Sequence, residues 1–117
     1  MPRVVVLPYD FCISRPHDFL DRRSLAMHKL AAAKVRAHPE LLDLARETVQ
    51  RWKRTAPSRA HALLDEWIAL IDRGVDDCLS VAEEDSEHAR QLRQSSPLPC
   101  LLDRRERNEF MRSWRQS

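Results

Sequence analysis

Five histidines and three cysteines are the side chains here best suited to chemistry, and their spacing gathers none of them into a site. Cys12, Cys78 and Cys100 lie far apart, with no C-x-x-C pair and no Cys/His zinc spacing. Reduced thiols in a cytoplasmic protein are the economical expectation. Nucleophilic catalysis needs a Ser or Cys beside a base inside a formed pocket. Of the histidines only His28 falls on an apolar helical stripe, where a packed role is the commoner one. His61 and Asp65, four apart, make a helix-surface pair rather than a charge relay. Glu83 and Glu84 sit in a polar turn, where solvent keeps both ionised and useless as an acid–base pair. A single glycine cannot build a Walker loop or a dinucleotide fingerprint. No catalytic residue, metal ligand or cofactor is expected, and the chain reads as a binding protein rather than an enzyme.

The elements that position these residues are helical. The 117 residues are enough for one domain with a modest core. The scarcity of glycine argues against sandwiches and doubly wound folds, whereas the abundant Ala, Leu, Arg and Glu favour helix. The fold class is therefore all-α, a compact bundle of about five or six short helices. Residues 1–20 stand apart as an irregular extension: Pro2, Pro8 and Pro16 interrupt them, and Tyr9, Phe11 and Phe19 follow no helical period. Val4–Leu7 suits a loose tail or a short edge strand, is too short for a signal h-region, and no segment reaches the roughly 18 apolar residues of a membrane span. The helical domain is expected over 21–117, with Asp21 as the first N-cap.

Leu25, His28, Ala32 and Val35 then share a stripe, and Leu41, Ala45, Val49 and Trp52 another, with Pro39 in the first turn of that second helix. A third helix over 58–73 is the most apolar, through Leu63, Leu64, Trp67, Ile68, Leu70 and Ile71, and should be central. Gly74 follows where a left-handed residue is wanted. "VDDCLSVA" predicts a short fourth helix and "SEHARQLRQ" a fifth, capped by Asp85. Pro97 and Pro99 end it, and Asp103 with Glu106 predicts a capping box for a last helix, docked through Phe110 and Trp114.

Net charge is only +2, too balanced for a strongly basic nucleic-acid binder, but its distribution is uneven. Residues 21–37 carry five Lys or Arg against Asp21 alone. Residues 75–89 carry Asp76, Asp77, Glu83, Glu84, Asp85 and Glu87 with no Lys or Arg. Such a dipolar surface steers a charged partner. The segment 75–94 also has the lengths of a helix-turn-helix, with Arg90, Gln91, Arg93 and Gln94 able to address base edges. The acidic run opposes that reading, since it would repel phosphates, and the turn lacks the usual glycine. A protein-docking surface is the competing reading: Arg90, Arg93 and Gln94 lead into "SSPLPC", a segment stiffened by two prolines. A plain structural role, with the leucines tucking the last helix onto the core, weighs equally with docking.

"LAMHKLAAAKVRAHPELLDLARETVQRW", "LLDEW" and "ARQLRQSSPLPCLLDRRER" together resemble a group of small all-helical bacterial proteins. In that group an L-A-x-H helix and a late R-Q-x-S-P-F segment followed by an R-E-R helix recur. The resemblance covers roughly residues 24–115. It implies an antitoxin, encoded beside a toxin of the nucleotidyltransferase type and neutralising it by direct binding. On this chain the recurrent positions are His28, Arg93, Gln94, Ser96 and Pro97, with Ser95 between. Leu98 replaces the Phe of the pattern and Pro99-Cys100 its small residues, so an aromatic anchor is missing. The expected partner surface is Arg90, Arg93, Gln94, Ser95, Ser96 and Pro97 with Asp76, Asp77, Glu83 and Glu84. The expected partner is a cognate toxin. Operator DNA, contacted for autoregulation, and self-association into a homo-oligomer stay open; a membrane is not expected.

Overall fold

A computed structural model describes the backbone of residues 14–116 and the side chains of 20–114. Among the described residues the chain forms six α-helices and one short 3-10 helix, with no strand. The helices are α1 Ser14–Ala37, α2 Leu41–Thr55, α3 Ser58–Arg73, α4 Val75–Ala82, α5 Glu87–Gln94 and α6 Arg104–Gln116, with the 3-10 helix at Leu98–Leu101. The all-α bundle is therefore as expected from composition and period. Val4–Leu7 lies outside the described residues.

The first boundary is a correction. α1 begins at Ser14, so the division at residue 20 cuts through a helix, and Asp21 is an interior residue rather than an N-cap. Pro16 caused the misreading. It occupies the first turn, where the backbone N–H it lacks would have no intrahelical partner anyway. Pro39, expected in the first turn of the second helix, instead precedes the Glu40 cap of α2, and the Pro39 carbonyl accepts from Leu42 N–H at 3.1 Å.

The core is assembled from one face of each helix. Ala31, Ala32 and Val35 of α1 are fully buried, as are Ala45 and Val49 of α2, Trp67 of α3 and Cys78 and Leu79 of α4. α3 is central as its apolar content predicts: it packs on both α2 and α4. α1 crosses α4, α5 and the 3-10 helix, its alanines letting the neighbours close in. Gly74 joins α3 to α4 with φ +118°, a conformation nearly closed to L side chains. No atom lies within 4 Å of where a Cβ would stand, so backbone geometry rather than space selects glycine.

Polar groups lock the helix ends. Ser86, rather than Asp85, caps α5, its Oγ accepting from Ala89 N–H at 3.2 Å. Trp67 is wholly buried and its Nε1 donates to the Leu92 carbonyl at 2.8 Å, tying α3 to the end of α5. The capping box of α6 is present in both directions: Asp103 Oδ1 accepts from Glu106 N–H, and Glu106 Oε1 accepts from Asp103 N–H, each at 2.8 Å. Lys34 of α1 adds a cross-brace, donating to the Leu101 carbonyl at 2.9 Å and to Glu106 Oε1 at 2.6 Å. That ammonium, with the Asp103 N–H, holds the Glu106 carboxyl below its ordinary range. Phe110 and Trp114 stack with centroids 6.0 Å apart, both half-buried.

Candidate functional site

α4, the turn 83–86 and α5 form a helical hairpin that carries nearly every residue singled out for binding. Its outer surface is acidic. Asp76, Asp77, Glu84, Asp85 and Glu87 are exposed; Glu83 is half-buried and accepts from Arg36 of α1 at 2.6 Å. Helix geometry puts Asp76 and Asp77 in the first turn of α4, where the helix dipole favours them. The remaining carboxylates stand in the turn and at the start of α5. Asp85 pairs with Arg90 at 3.0 Å, with 73% of its side chain still exposed, so the acidic ridge is left largely un-neutralised.

The continuation 93–98 behaves in the opposite way: three residues of the expected partner surface, Arg93, Ser96 and Pro97, lie inside. Arg93 is only 6% exposed, Ser96 8%, and Pro97 is wholly buried. The Arg93 Nη1 donates to the Ala82 carbonyl at 3.0 Å and the Glu84 carbonyl at 2.7 Å, closing the C-terminal end of α4. Ser96 Oγ accepts from Leu98 N–H at 3.1 Å, shaping the turn into the 3-10 helix. Leu98 is fully buried, in line with the tucking role rather than a docking one. The physical reason is local: a short helix ends with unsatisfied carbonyls, and a guanidinium fork and a hydroxyl satisfy backbone groups that apolar neighbours seal from water. Gln91 and Gln94 remain exposed, and Ser95 is half-buried. For base reading by α5, this leaves Arg90, in a surface pair with Asp85, and the two glutamines; Arg93 is engaged inside.

Behind Arg93 lies His28. It is 1% exposed, and its Nδ1 is 2.7 Å from the Ser24 carbonyl, so Nδ1 carries the proton and Nε2 presents a bare lone pair with no partner among the described residues. Burial lowers its pKa from 6.5 to about 4; the Ser24 bond opposes this and the charge of Arg93 adds to it. His28 is thus neutral at pH 7. His61 Nε2 lies 3.2 Å from the Ala56 carbonyl, Asp65 pairs instead with Lys53, and His88 meets Glu66 at 2.6 Å on the surface. The three histidines have separate surroundings. Cys78 is buried, which pushes its thiol up to about 11, whereas Cys100 is exposed. Among the described residues no group of His, Cys, Asp and Glu converges as a metal site, and no helix is long and apolar enough to cross a membrane.

The concave feature beside the hairpin involves residues that sequence reasoning did not connect. Asp21, Arg22 and Leu25 of α1 face Asp85, Arg90 and Arg93 across a cleft of about 280 Å³. The pieces lie some seventy positions apart, and only the packing of α1 on α5 brings them together. Arg93 forms part of the wall. Burial draws its pKa below the ordinary value, and Arg90 adds to this, while Asp85, Asp21 and Glu84 oppose it. Comparison with protein-family models, with curated proteins and with solved structures finds no match for the chain.

Proposed function

We propose that the protein is an antitoxin that binds a cognate toxin directly, presenting the acidic ridge of the α4–α5 hairpin to a basic cleft of the partner. The observation that carries this is the exposure of Asp76, Asp77, Glu84, Asp85 and Glu87 on one hairpin whose other side is anchored in the core. A toxin that acts on nucleotides or RNA needs cations where phosphates bind. A rigid run of carboxylates occupies such a place as a phosphate mimic and speeds encounter through charge complementarity. The hairpin is held by the Trp67–Leu92 bond and the Arg93 cap, so little is lost to ordering on binding. The resemblance of residues 24–115 to antitoxin-like helical proteins supports the same reading. The contacting set differs from the one expected on sequence: Arg93, Ser96 and Pro97 hold the hairpin in shape, and Gln94 and Arg90 flank the ridge.

Co-expression with the product of the adjacent gene tests this reading. The outcome expected is a co-purifying complex and relief of that product's growth inhibition, both lost in Asp76→Lys/Asp77→Lys/Glu84→Lys. No complex and no relief with the native protein would sink it. A complex that tolerates the triple charge reversal would move the interface off the hairpin.

A further inference from the structure

Arg93 is a buried cation among whose described neighbours no carboxylate stands within ion-pair distance. Its two hydrogen bonds leave from Nη1 and end on main-chain carbonyls, which offer partial charges only. A charge withdrawn from water is ordinarily neutralised by a full counter-charge. Arg93 also lines the cleft of about 280 Å³, where Arg90 from the same helix and Arg22 from α1 join it. Three arginines from two helices therefore line one small concavity, against the two carboxylates Asp21 and Asp85 among its described lining residues, and Asp85, Asp21 and Glu84 act on Arg93 from beyond ion-pair distance.

We propose that this cleft binds a phosphate group, with Arg22, Arg90 and Arg93 as its ligands. A planar carboxylate is satisfied by a single guanidinium fork, whereas a tetrahedral phosphate presents oxygens in several directions and accepts from forks approaching along different lines. Arg90 is released to it without disturbing the core. Its present partner Asp85 is a surface carboxylate, so that ion pair is of small worth and easily exchanged for a stronger anion. Arg22 is exposed and closes over the group from the α1 side. Leu25 forms the apolar part of the wall and gives an organic ester of phosphate a surface to rest on. The site shares Asp85 with the acidic ridge and takes its other wall from α1; it holds whether or not the antitoxin reading does.

The test is calorimetric titration of the full chain at pH 7 with inorganic phosphate and, separately, with AMP, sodium chloride holding ionic strength constant. One saturable site with a Kd of ~1 mM or tighter is expected for at least one probe, together with a thermal midpoint that rises to a plateau. Tighter binding of AMP assigns the site to a phosphate ester; equal binding assigns it to the free ion. Arg22→Gln/Arg90→Gln alters only rim residues, keeps the native circular dichroism, and should weaken binding at least tenfold. Arg93→Lys keeps the charge but not the fork and should weaken it as well. Absence of saturable binding by either probe, or undiminished binding by the folded double variant, would overturn the proposal.

Discussion

The acidic run 76–87 and the segment 93–98 belong to one hairpin and its exit, yet one faces solvent and the other fills the interior. In the first, five carboxylates stand exposed and, among the described residues, only Glu83 and Asp85 form ion pairs. In the second, an arginine, a serine, a proline and a leucine are all buried. The difference shows that polarity along a chain does not map onto exposure where helices are short. An eight-residue helix leaves half its carbonyls without intrahelical partners, and the groups that satisfy them must come inside. Carboxylates cannot serve carbonyls, whereas the Arg93 guanidinium can, and the Ser96 hydroxyl accepts from the Leu98 N–H. The hairpin's charge is therefore sorted by chemistry, anions outward and Arg93 inward.

The comparison breaks most visibly at Leu98. Leu98→Ala removes a fully buried side chain from the junction of α1, α2 and the 3-10 helix and should cost about 3 kcal/mol, measured from the urea midpoint at constant slope. A change under about 1 kcal/mol would return the segment to the surface. Next in size is the pH response of His28, whose titration is depressed by burial and, to a lesser extent, by the charge of Arg93. Its folded pKa of about 4 lies below the unfolded 6.5, so the unfolded chain binds the extra proton between these values. This contribution is fully present above pH 6.5 and is lost as pH falls towards 4, about 3 kcal/mol in all. His28→Leu should flatten the profile across that window, and an unchanged profile would assign the acid sensitivity elsewhere.

Smaller effects sharpen the contrast. Ser86→Ala deletes the cap between the two regions and should destabilise by about 1 kcal/mol, whereas Asp85→Ala, at the position the sequence favoured, should cost less in the same urea titration. The smallest effect belongs to the ridge: Asp76→Asn/Asp77→Asn should shift stability by no more than about 0.5 kcal/mol while slowing association with a basic partner in stopped flow at low salt. Equal losses of stability at Asp76 and Leu98 would erase the distinction.

Period and turn chemistry made most of the bundle legible. The bounds of α3 and α4, the glycine between them and the Asp103–Glu106 box follow from local preferences that tertiary packing did not override. The start of α1 was hidden because proline in a first turn and proline as a breaker look alike until the backbone is seen. Ser86 next to Asp85 offers two good caps in sequence, and one residue of register decides between them. The exposure of the ridge was legible as a charge run. The burial of Arg93 and Ser96 was not, because it depends on what α1 and the 3-10 helix bring over them. The cleft was wholly illegible, since Arg22 and Arg90 meet only through the crossing of α1 and α5.

The brace at Lys34 has a consequence for how the molecule opens. None of the principal helix packings involves α6, whose first turn is fastened through Glu106 to Lys34 and Asp103. A helix attached this way is a cooperative unit of its own in the native ensemble. Its amides should exchange with deuterium ahead of those in α3, and sooner still once acid discharges Glu106. The chain thus has an end that loosens early and a resistant centre, with the Lys34 ammonium bridging the two.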